Sequence, residues 1–258
     1  MTLTASAPRV AVLIPALNEE LAIRAIVEAA LAVVADVIVV DDGSNDRTLE
    51  LISDLPITVI RHATPQGKGE SLRDGFREAL RRGFDAVVTM DGDGQHSATD
   101  VPRLIAAAAH YPGHLVIGAR MRTRDNQPNA RRRANAVADW GISWGCGIPV
   151  ADTQSGQRYY PRAAMELVDL KAEHFVFETA ILIAAVRERG LGVVSVPIEA
   201  RYHAGARRSH FRPVLDITRI SWYTIWRTLR YGHLVASYRR SHGSPPCVID
   251  PPLAGAIA

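Results

Sequence analysis

Two aspartates and a glutamine stand at alternate positions directly after the apolar run AVVTM at residues 86–90. In an extended segment alternate side chains point the same way, so Asp91, Asp93 and Gln95 can present three oxygen atoms to one side. Hard cations such as Mg²⁺ and Mn²⁺ prefer oxygen ligands and complete their shells with water and phosphate oxygens. The spacing therefore indicates a site where a divalent metal ion holds a diphosphate group.

Polar clusters follow three earlier apolar runs in the same way. The runs at 10–14, 37–40 and 57–60 are followed by PALNEE, DDGSND and HATPQGKG. Helical patterns lie between the runs, so we predict a doubly wound α/β fold whose mostly parallel sheet is flanked by helices. The carboxyl ends of parallel strands lie at one edge of such a sheet, where ligands bind. One site should therefore collect all four clusters.

The remaining elements are predicted from the same periodicities. We expect helices over 100–109, 130–145 and 176–188, and strands over 114–118 and 192–196. The DGSND segment also suits the start of a helix, with Ser44 or Asn45 as its cap. Capping alone does not explain four polar clusters in succession.

The common nucleotide and calcium fingerprints are missing. No G-x-G-x-x-G follows the first apolar run, which disfavours a dinucleotide fold. In HATPQGKG, His62 and Gly69 stand where a phosphate-binding Walker loop needs a glycine and a hydroxyl residue. In a calcium loop starting at Asp91, His96 would replace the glycine at position 6 and Pro102 the glutamate at position 12.

Composition sets the broad class of protein. The 258 residues are 47% hydrophobic, enough for one globular domain with a substantial core. Cys146 and Cys247 are the only cysteines, which fits a reducing cytoplasm, and no apolar run is long enough for export or membrane spanning. Residues 1–100 carry 9 basic and 16 acidic residues, whereas the remainder carries 21 and 11. This asymmetry suggests a cation as partner of the first part and phosphates or an anionic surface as partner of the second.

Several motifs occur in one order along the chain: IPALNEE, VVDDGSNDRT, GKGESLRDGF, DGDGQH, GAR, DTQSGQRYYPR, and FE at Phe177 and Glu178. Together they resemble the family 2 glycosyltransferases of the GT-A fold, in particular dolichyl-phosphate mannosyltransferase and bacterial polyprenyl-phosphate glycosyltransferases. The later SHFRPVLDITRI extends the resemblance to all but the termini. It implies transfer of a sugar from a UDP- or GDP-sugar to a polyprenyl phosphate, with Mg²⁺ or Mn²⁺ as cofactor, at the cytoplasmic face of a membrane.

The resemblance also implies roles for residues at the motif positions. The nucleotide and donor side would comprise Pro15, Ala16, Asn18, Glu19, Asp42, Lys68 and Asp91. The metal would be held by Asp91, Asp93 and Gln95. The acceptor side would include Gln154 and Ser155, in a turn over residues 152–156. The catalytic set would be Asp93, Arg120, Asp152 and Glu178.

The acceptor decides whether a base is needed. A lipid phosphate is already ionised at neutral pH, whereas a hydroxyl must lose its proton to a carboxylate, for which Asp152 and Glu178 are the candidates. Attack opposite to the leaving diphosphate would invert the anomeric configuration. Both acceptors remain open at the level of the sequence.

Three positions depart from the family pattern, and all bear on the acceptor side. Gln157 stands where an aromatic residue is frequent, Ser97 and Ala98 replace a proline pair, and Ala180 replaces an acidic residue.

The basic second part of the chain predicts contacts with phosphates and with a membrane. Arginine forks suit phosphate oxygens, and Arg207, Arg208 and Arg212 lie in a loop after the last predicted strand. A helical stripe follows, made of Leu215, Trp222, Trp226 and Leu229, with arginines at 219, 227 and 230 beside it. Such a helix either lies in a membrane interface or packs on its own domain.

Other functions are less consistent with these patterns. No zinc finger, basic zipper or aromatic RNA-binding motif accompanies the arginines, so we expect no nucleic-acid partner. A nucleotidyltransferase on a related fold and a noncatalytic basic surface protein remain as alternatives. The expected organisation is a flexible N-terminus at 1–8, a catalytic domain at 9–212, an amphipathic helix at 213–240 and a disordered tail at 241–258.

Overall fold

The computed structural model describes residues 7–122, 129–172, 176–199 and 213–251. The strands in these ranges are β1 (Val10–Ala16), β2 (Asp36–Asp41), β3 (Thr58–Arg61), β4 (Ala86–Thr89), β5 (His114–Ala119), β6 (Arg158–Pro161) and β7 (Gly192–Pro197). The helices are α1 (Ile23–Leu31), α2 (Lys68–Arg81), α3 (Val101–His110), α4 (Asn129–Cys146), α5 (Arg162–Met165), α6 (Val176–Arg189), α7 (Pro213–Tyr231) and α8 (Leu234–His242). Short 3₁₀ turns cover Glu50–Ile52 and Ala98–Asp100.

The strands form one seven-stranded sheet in the order β3-β2-β1-β4-β6-β5-β7. All neighbours are parallel except β6, which runs antiparallel to both β4 and β5. The predicted α/β fold with a mostly parallel sheet is confirmed. Strand β6 was not predicted, because its sequence RYYP is short and begins with a charged residue.

Two apolar cores cover the two faces of the sheet. Successive residues of the central strands alternate between them, as with Val12 and Leu13 in β1 and Val87 and Val88 in β4. Helices α2, α5 and α6 pack on one face, and α1 and α3 pack on the other. Each fully buried aliphatic side chain contributes about 1.5–3 kcal/mol relative to exposure. This buried sheet fixes the strand ends from which the polar loops extend.

The C-terminal region forms two helices instead of the single helix predicted over 213–240. Gly232 and His233 have φ angles of 68° and 50°, in the left-handed region, and they separate α7 from α8. Helix α4 packs against both, and the Trp144 indole donates to the carbonyl of Leu234 at 3.0 Å. No helix among the described residues is long and apolar enough to cross a membrane.

The segment after α8 packs along the sheet, so the predicted disordered tail is wrong for residues 241–251. Val248 pairs in parallel with Ser195 of β7. The Asp250 carboxylate accepts hydrogen bonds from Arg103 at 2.5 Å and Arg122 at 2.7 Å. The composition of this segment did not reveal the contacts, because they come from single residues. Residues 1–6 and 252–258, predicted to be flexible, lie outside the described residues.

Two helical glycines differ in the space available to a side chain, which yields a stability prediction. A Cβ atom on Gly75 of α2 would lie 2.3–2.9 Å from side-chain atoms of buried Leu13, whereas one on Gly141 of α4 would meet nothing within 4 Å. Overpacking costs about 1–3 kcal/mol, and alanine gains up to about 1 kcal/mol over glycine in a helix. We expect Gly75→Ala to lower the free energy of unfolding in urea and Gly141→Ala to raise it. The opposite order would contradict the packing of α2 on β1.

Candidate active site

The turn after β4 holds its two aspartates by local hydrogen bonds. The Gln95 backbone N–H donates to Asp93 at 3.0 Å, and its side-chain amide donates to the same carboxylate at 2.7 Å. The Asp91 backbone N–H donates to Nδ1 of His96 at 3.1 Å. Gln95 therefore supports Asp93 through its nitrogen atoms. His96, to which the sequence assigned no role, closes the turn.

The electrostatics of the turn follow from burial and close charges. Burial lowers the pKa of His96, which keeps the ring neutral and leaves Nδ1 free to accept a hydrogen bond. Burial and the neighbouring charge of Asp91 raise the pKa of Asp93. The charge of Asp93 is thus poorly neutralised by the protein, and a bound cation would stabilise it.

Lys68 joins the turn to two helices. Its ammonium group lies 2.6 Å from Asp91 and 3.1 Å from Glu178, which stands in the first turn of α6. Burial disfavours the charged forms of Lys68 and Asp91, but the attraction between their opposite charges outweighs this effect. It lowers the pKa of Asp91 to about 2 and raises the pKa of Lys68 above its ordinary value. The start of α2, the end of β4 and the start of α6 therefore meet at one ion-paired centre.

The donor atoms of this turn suit a hard divalent ion. Asp91 and Asp93 supply carboxylate oxygens, which Mg²⁺ and Mn²⁺ prefer. Among the described residues, no three histidine, cysteine or acidic side chains converge to hold a metal ion. The protein side would thus contribute one or two carboxylates. This matches sites at which water and substrate phosphate oxygens complete the metal shell.

The loops after β1 and β2 interlock on the predicted nucleotide side. The Asn18 backbone N–H donates to Ser44 at 2.8 Å, and the Asn18 side chain accepts from the Asn45 backbone at 2.9 Å. The Glu19 backbone N–H donates to Thr48 at 2.7 Å. Neither Ser44 nor Asn45 caps a helix, contrary to the expectation, because the next helical element is the 3₁₀ turn over Glu50–Ile52, which starts after Leu49.

The end of β1 borders the metal-binding turn. A Cβ atom on Gly92 would lie 3.2 Å from the carbonyl oxygen of Pro15 and 3.7 Å from Cα of Ala16. It would also lie 3.3 Å from Cγ of Glu19. The absence of a side chain at Gly92 thus lets PALNEE and DGDGQH approach each other. This agrees with the expectation that both loops lie at the same edge of the sheet.

The two aspartates at the end of β2, Asp41 and Asp42, differ in their contacts. Both oxygens of Asp42 are engaged, because they accept from the Gln66 and Gly67 backbones at 2.8 and 2.7 Å and contact His62 at 2.7 Å. Asp42 therefore shapes the loop before Lys68. Asp41, which the sequence did not single out, is fully buried; its Oδ2 lies 3.7 Å from Nε of Arg61 and has no hydrogen-bond partner among the described residues.

Arg120 and Asp152 form a bidentate ion pair. The guanidinium donates to the two carboxylate oxygens at 2.8 and 2.6 Å, and the Arg120 backbone N–H adds a third bond at 2.7 Å. Burial opposes the charge of Asp152, but these bonds prevail and lower its pKa. Asp152 has a φ of 48°, and Asp139 of α4 accepts from the backbones of Asp152 and Thr153 at 3.2 and 2.7 Å. Asp139 belongs to no recognised motif, so the sequence did not reveal it.

A buried arginine holds the turn over residues 152–156. Arg158 is 1% exposed and donates to the carbonyls of Thr153, Ser155 and Glu178 at 2.7, 2.8 and 2.9 Å. Arg158 lies in the DTQSGQR motif, but its contacts with the turn could be recognised only from the structure. The turn is thereby tied to the start of α6.

The turn also contains the two predicted acceptor-side residues. Gln154 is half-buried and donates only weakly to Thr153, at 3.4 Å. Ser155 is fully buried, and its hydroxyl has no hydrogen-bond partner among the described residues.

Gln157 and Ser97, two of the positions that depart from the family pattern, contact each other. The Gln157 side-chain amide donates to the carbonyl of Ser97 at 2.9 Å, and Gln157 is fully buried. Ala180 lies on α6 and is fully buried in the core. The predicted phosphate ligands Arg207, Arg208 and Arg212 lie outside the described residues.

Comparison with known proteins identifies the family of this chain. A family model described as "Glycosyl transferase family 2" matches residues 11–183, which include every motif from PALNEE to FE. The chain belongs to this family. It is a glycosyltransferase, and the resemblance predicted from its motifs is confirmed.

Relatives and solved structures extend the match. The glycosyltransferase is 28% identical to a UDP-N-acetylglucosamine–dolichyl-phosphate N-acetylglucosaminyltransferase of Methanococcus voltae, over 74% of this chain and 84% of the relative. It is 32% identical to a polyprenol monophosphomannose synthase of Mycolicibacterium smegmatis, over 63% and 65% of the two chains. Glucosyl-3-phosphoglycerate synthase from Mycobacterium tuberculosis, solved with Mn²⁺ and UDP-glucose, superimposes with a TM-score of 0.63 at 25% identity, covering 88% of this chain and 79% of that one.

Gly156 offers a test of the geometry of the glycosyltransferase site. A Cβ atom there would lie 2.7 Å from Oδ2 of Asp91 and 3.0 Å from the Lys68 ammonium. Gly156→Ala should displace this ion pair, and misplacement by about 1 Å can cost roughly 100-fold in rate. We expect turnover to fall by about 10–100-fold while the melting temperature stays near that of the wild type. Gly141→Ala is the matched control, and equal turnover of the two variants would contradict the close approach.

Proposed function

We propose that this enzyme transfers a sugar from a nucleoside-diphosphate sugar to a polyprenyl phosphate, with a divalent metal ion, at a membrane surface. The observation that carries the proposal is the meeting of the Asp91–Asp93 turn, Lys68 and the Arg120–Asp152 pair at one sheet edge. The relatives named for dolichyl and polyprenol phosphates support the acceptor class. The Mn²⁺ and UDP-glucose in the related synthase support the donor class and the metal.

Asp91 and Asp93 would hold the metal ion, and either Mn²⁺ or Mg²⁺ suits their oxygens. The bound ion would neutralise charge on the leaving diphosphate. Lys68 adds a fixed positive charge at the same place, because its ammonium lies 2.6 Å from Asp91. Such preorganised charge stabilises a leaving group without a covalent step by the protein.

The two candidate bases favour a phosphate acceptor over a hydroxyl. Asp152 is bound on both oxygens by Arg120, and Glu178 is paired with Lys68. The bonds from Arg120 lower the pKa of Asp152, which makes it a weak proton acceptor, and Glu178 is occupied by its contact with Lys68. A prenyl phosphate needs no base, so its ionised oxygen can attack the anomeric carbon opposite the diphosphate and invert its configuration.

The function is tested by the products formed from UDP- and GDP-sugars, undecaprenyl phosphate and Mn²⁺. We expect mass spectrometry to show a glycosyl phosphoprenol and a nucleoside diphosphate, and NMR to show an inverted anomeric carbon. Release of pyrophosphate would instead identify a nucleotidyltransferase. Asp93→Asn should lower turnover by about 10²–10³-fold through loss of charge stabilisation. The control Asp54→Asn removes an exposed carboxylate of the Arg24 pair and should retain activity.

Helix α7 supports the membrane location, because its apolar stripe faces outward. Ile220, Thr224 and Thr228 are buried against the domain, whereas Trp222, Ile225, Trp226 and Leu229 are 45–71% exposed. The inward threonines are satisfied within the helix, since each hydroxyl donates to the carbonyl four residues earlier, at 2.8 and 2.6 Å. An exposed row of this kind suits burial at a lipid interface.

The arginines beside this row suit an anionic lipid surface. Arg219 and Arg230 are exposed, and Arg230 lies 5.4 Å from the ring centre of Trp226. Arg227 is directed inward to Glu188 and Tyr231, so it is not part of this charged margin. Two exposed cations beside apolar anchors favour membranes that carry negative charge.

The membrane contact is tested by co-sedimentation with vesicles of phosphatidylcholine and phosphatidylglycerol. The double variant Ile225→Ser with Leu229→Ser should weaken binding at least about 10-fold, because two apolar anchors are lost. Salt should weaken binding of the wild type by screening the arginines. Val59→Ser, at an exposed site on β3, is the control and should bind like the wild type. Equal binding of all three proteins would contradict the proposed membrane face.

A further inference from the structure

We propose that a groove between α2 and α7 holds the hydrocarbon chain of the prenyl phosphate acceptor, an inference that rests on the proposed function. The groove has a volume of about 830 Å³, within the range of small-molecule sites. Its apolar lining includes Val168, Leu170 and Val176 on one side and Trp222, Tyr223 and Trp226 of α7 on the other.

The groove starts at the end of the molecule that carries the active site. Helix α2 begins at Lys68 and lines the groove with Glu70, Arg73 and Arg77, which span roughly 10 Å of helix. Helix α6 begins at Val176 in the groove, and Glu178 two residues later pairs with Lys68. A ligand whose phosphate lies at the ion-paired centre would therefore find the groove beside it.

The charged residues of the groove floor are already paired, so the surface left for a ligand is mainly apolar. Arg73 donates to Glu70 and to three carbonyls of residues 168–172, and its guanidinium lies 4.5 Å from the ring centre of Phe177. Arg77 is paired with Asp74 and Asp169. A hydrocarbon chain makes no demand on these groups, whereas an anionic ligand would have to displace their partners.

Two further cations of the groove have no such partners. Lys171 and Arg219 line it, and neither forms an ion pair with a carboxylate in the described part of the chain. Their charge complements the anionic lipid surface proposed for α7. Trp222 and Trp226 belong both to the groove and to the exposed row of α7. The groove thus opens onto the membrane face, and a chain can extend from the bilayer towards Lys68 along the apolar side chains of α7 and of Val168, Leu170 and Val176.

The groove is tested by chain-length kinetics in detergent, without bilayers. Acceptors are a C10 and a C55 prenyl phosphate at saturating nucleotide sugar. Trp222→Ala and Tyr223→Ala should each raise KM for the C55 acceptor about 10-fold, a value typical of lost apolar pocket contacts, while KM for the C10 acceptor changes less than twofold. Trp222 is 71% exposed, so its loss should not unfold the protein. Trp140→Ala removes a comparable aromatic side chain on α4 outside the groove and should leave both KM values unchanged.

Photo-crosslinking locates the chain directly. A prenyl phosphate with a benzophenone on its chain should label the tryptic peptide 163–171, which contains Val168 and Leu170 of the groove wall. Labelling of peptide 134–158 instead, or equal KM changes for both acceptors, would contradict the proposal that the groove binds the hydrocarbon chain. If the wild type transfers sugar to neither acceptor, the proposed function itself fails, so the two failures are distinguishable.

Discussion

The contact of Lys68 with Asp91 and Glu178 is the interaction on which the site depends. It joins the start of α2, the end of β4 and the start of α6, which are distant in sequence. These side chains are only 12–29% exposed, so removing one partner would leave a poorly solvated charge without its counter-ion. Other features protect this contact: Asp42 shapes the loop before Lys68, and Gly156 leaves the space that the ion pair occupies.

Arginines stabilise the structure around this centre in a way that lysines could not. The sequence contains only two lysines among its 30 basic residues. Arg73, Arg158 and Arg187 each donate to two or three backbone carbonyls. A planar guanidinium has five donors in a fixed arrangement, whereas an ammonium group is a compact charge. Much of the positive charge of this chain therefore serves to connect loops to helices, and only part of it is available to ligands.

The sheet and the convergence of polar clusters were predictable because strand period, helix period and strand-end chemistry are local signals. Contacts between distant residues were not. Arg158 and Asp139 act on backbone atoms of the 152–156 turn, and such bonds leave no motif. The orientation of α7 could not be predicted from the sequence either. Two of its threonines pack inward, because their hydroxyls bond within the helix, and Trp222 faces outward.

The pairing of Val248 with Ser195 affects more than the local packing of the C-terminal segment. Strand β7 is the last strand in the sheet order, and an open strand edge can pair with other chains. The segment around Val248 partly covers that edge, while Asp250 holds it in place through Arg103 and Arg122. The segment that follows α8 thus shields part of a strand edge that lies more than 50 residues earlier in the sequence, and a change at Asp250 would expose this edge to pairing with other chains.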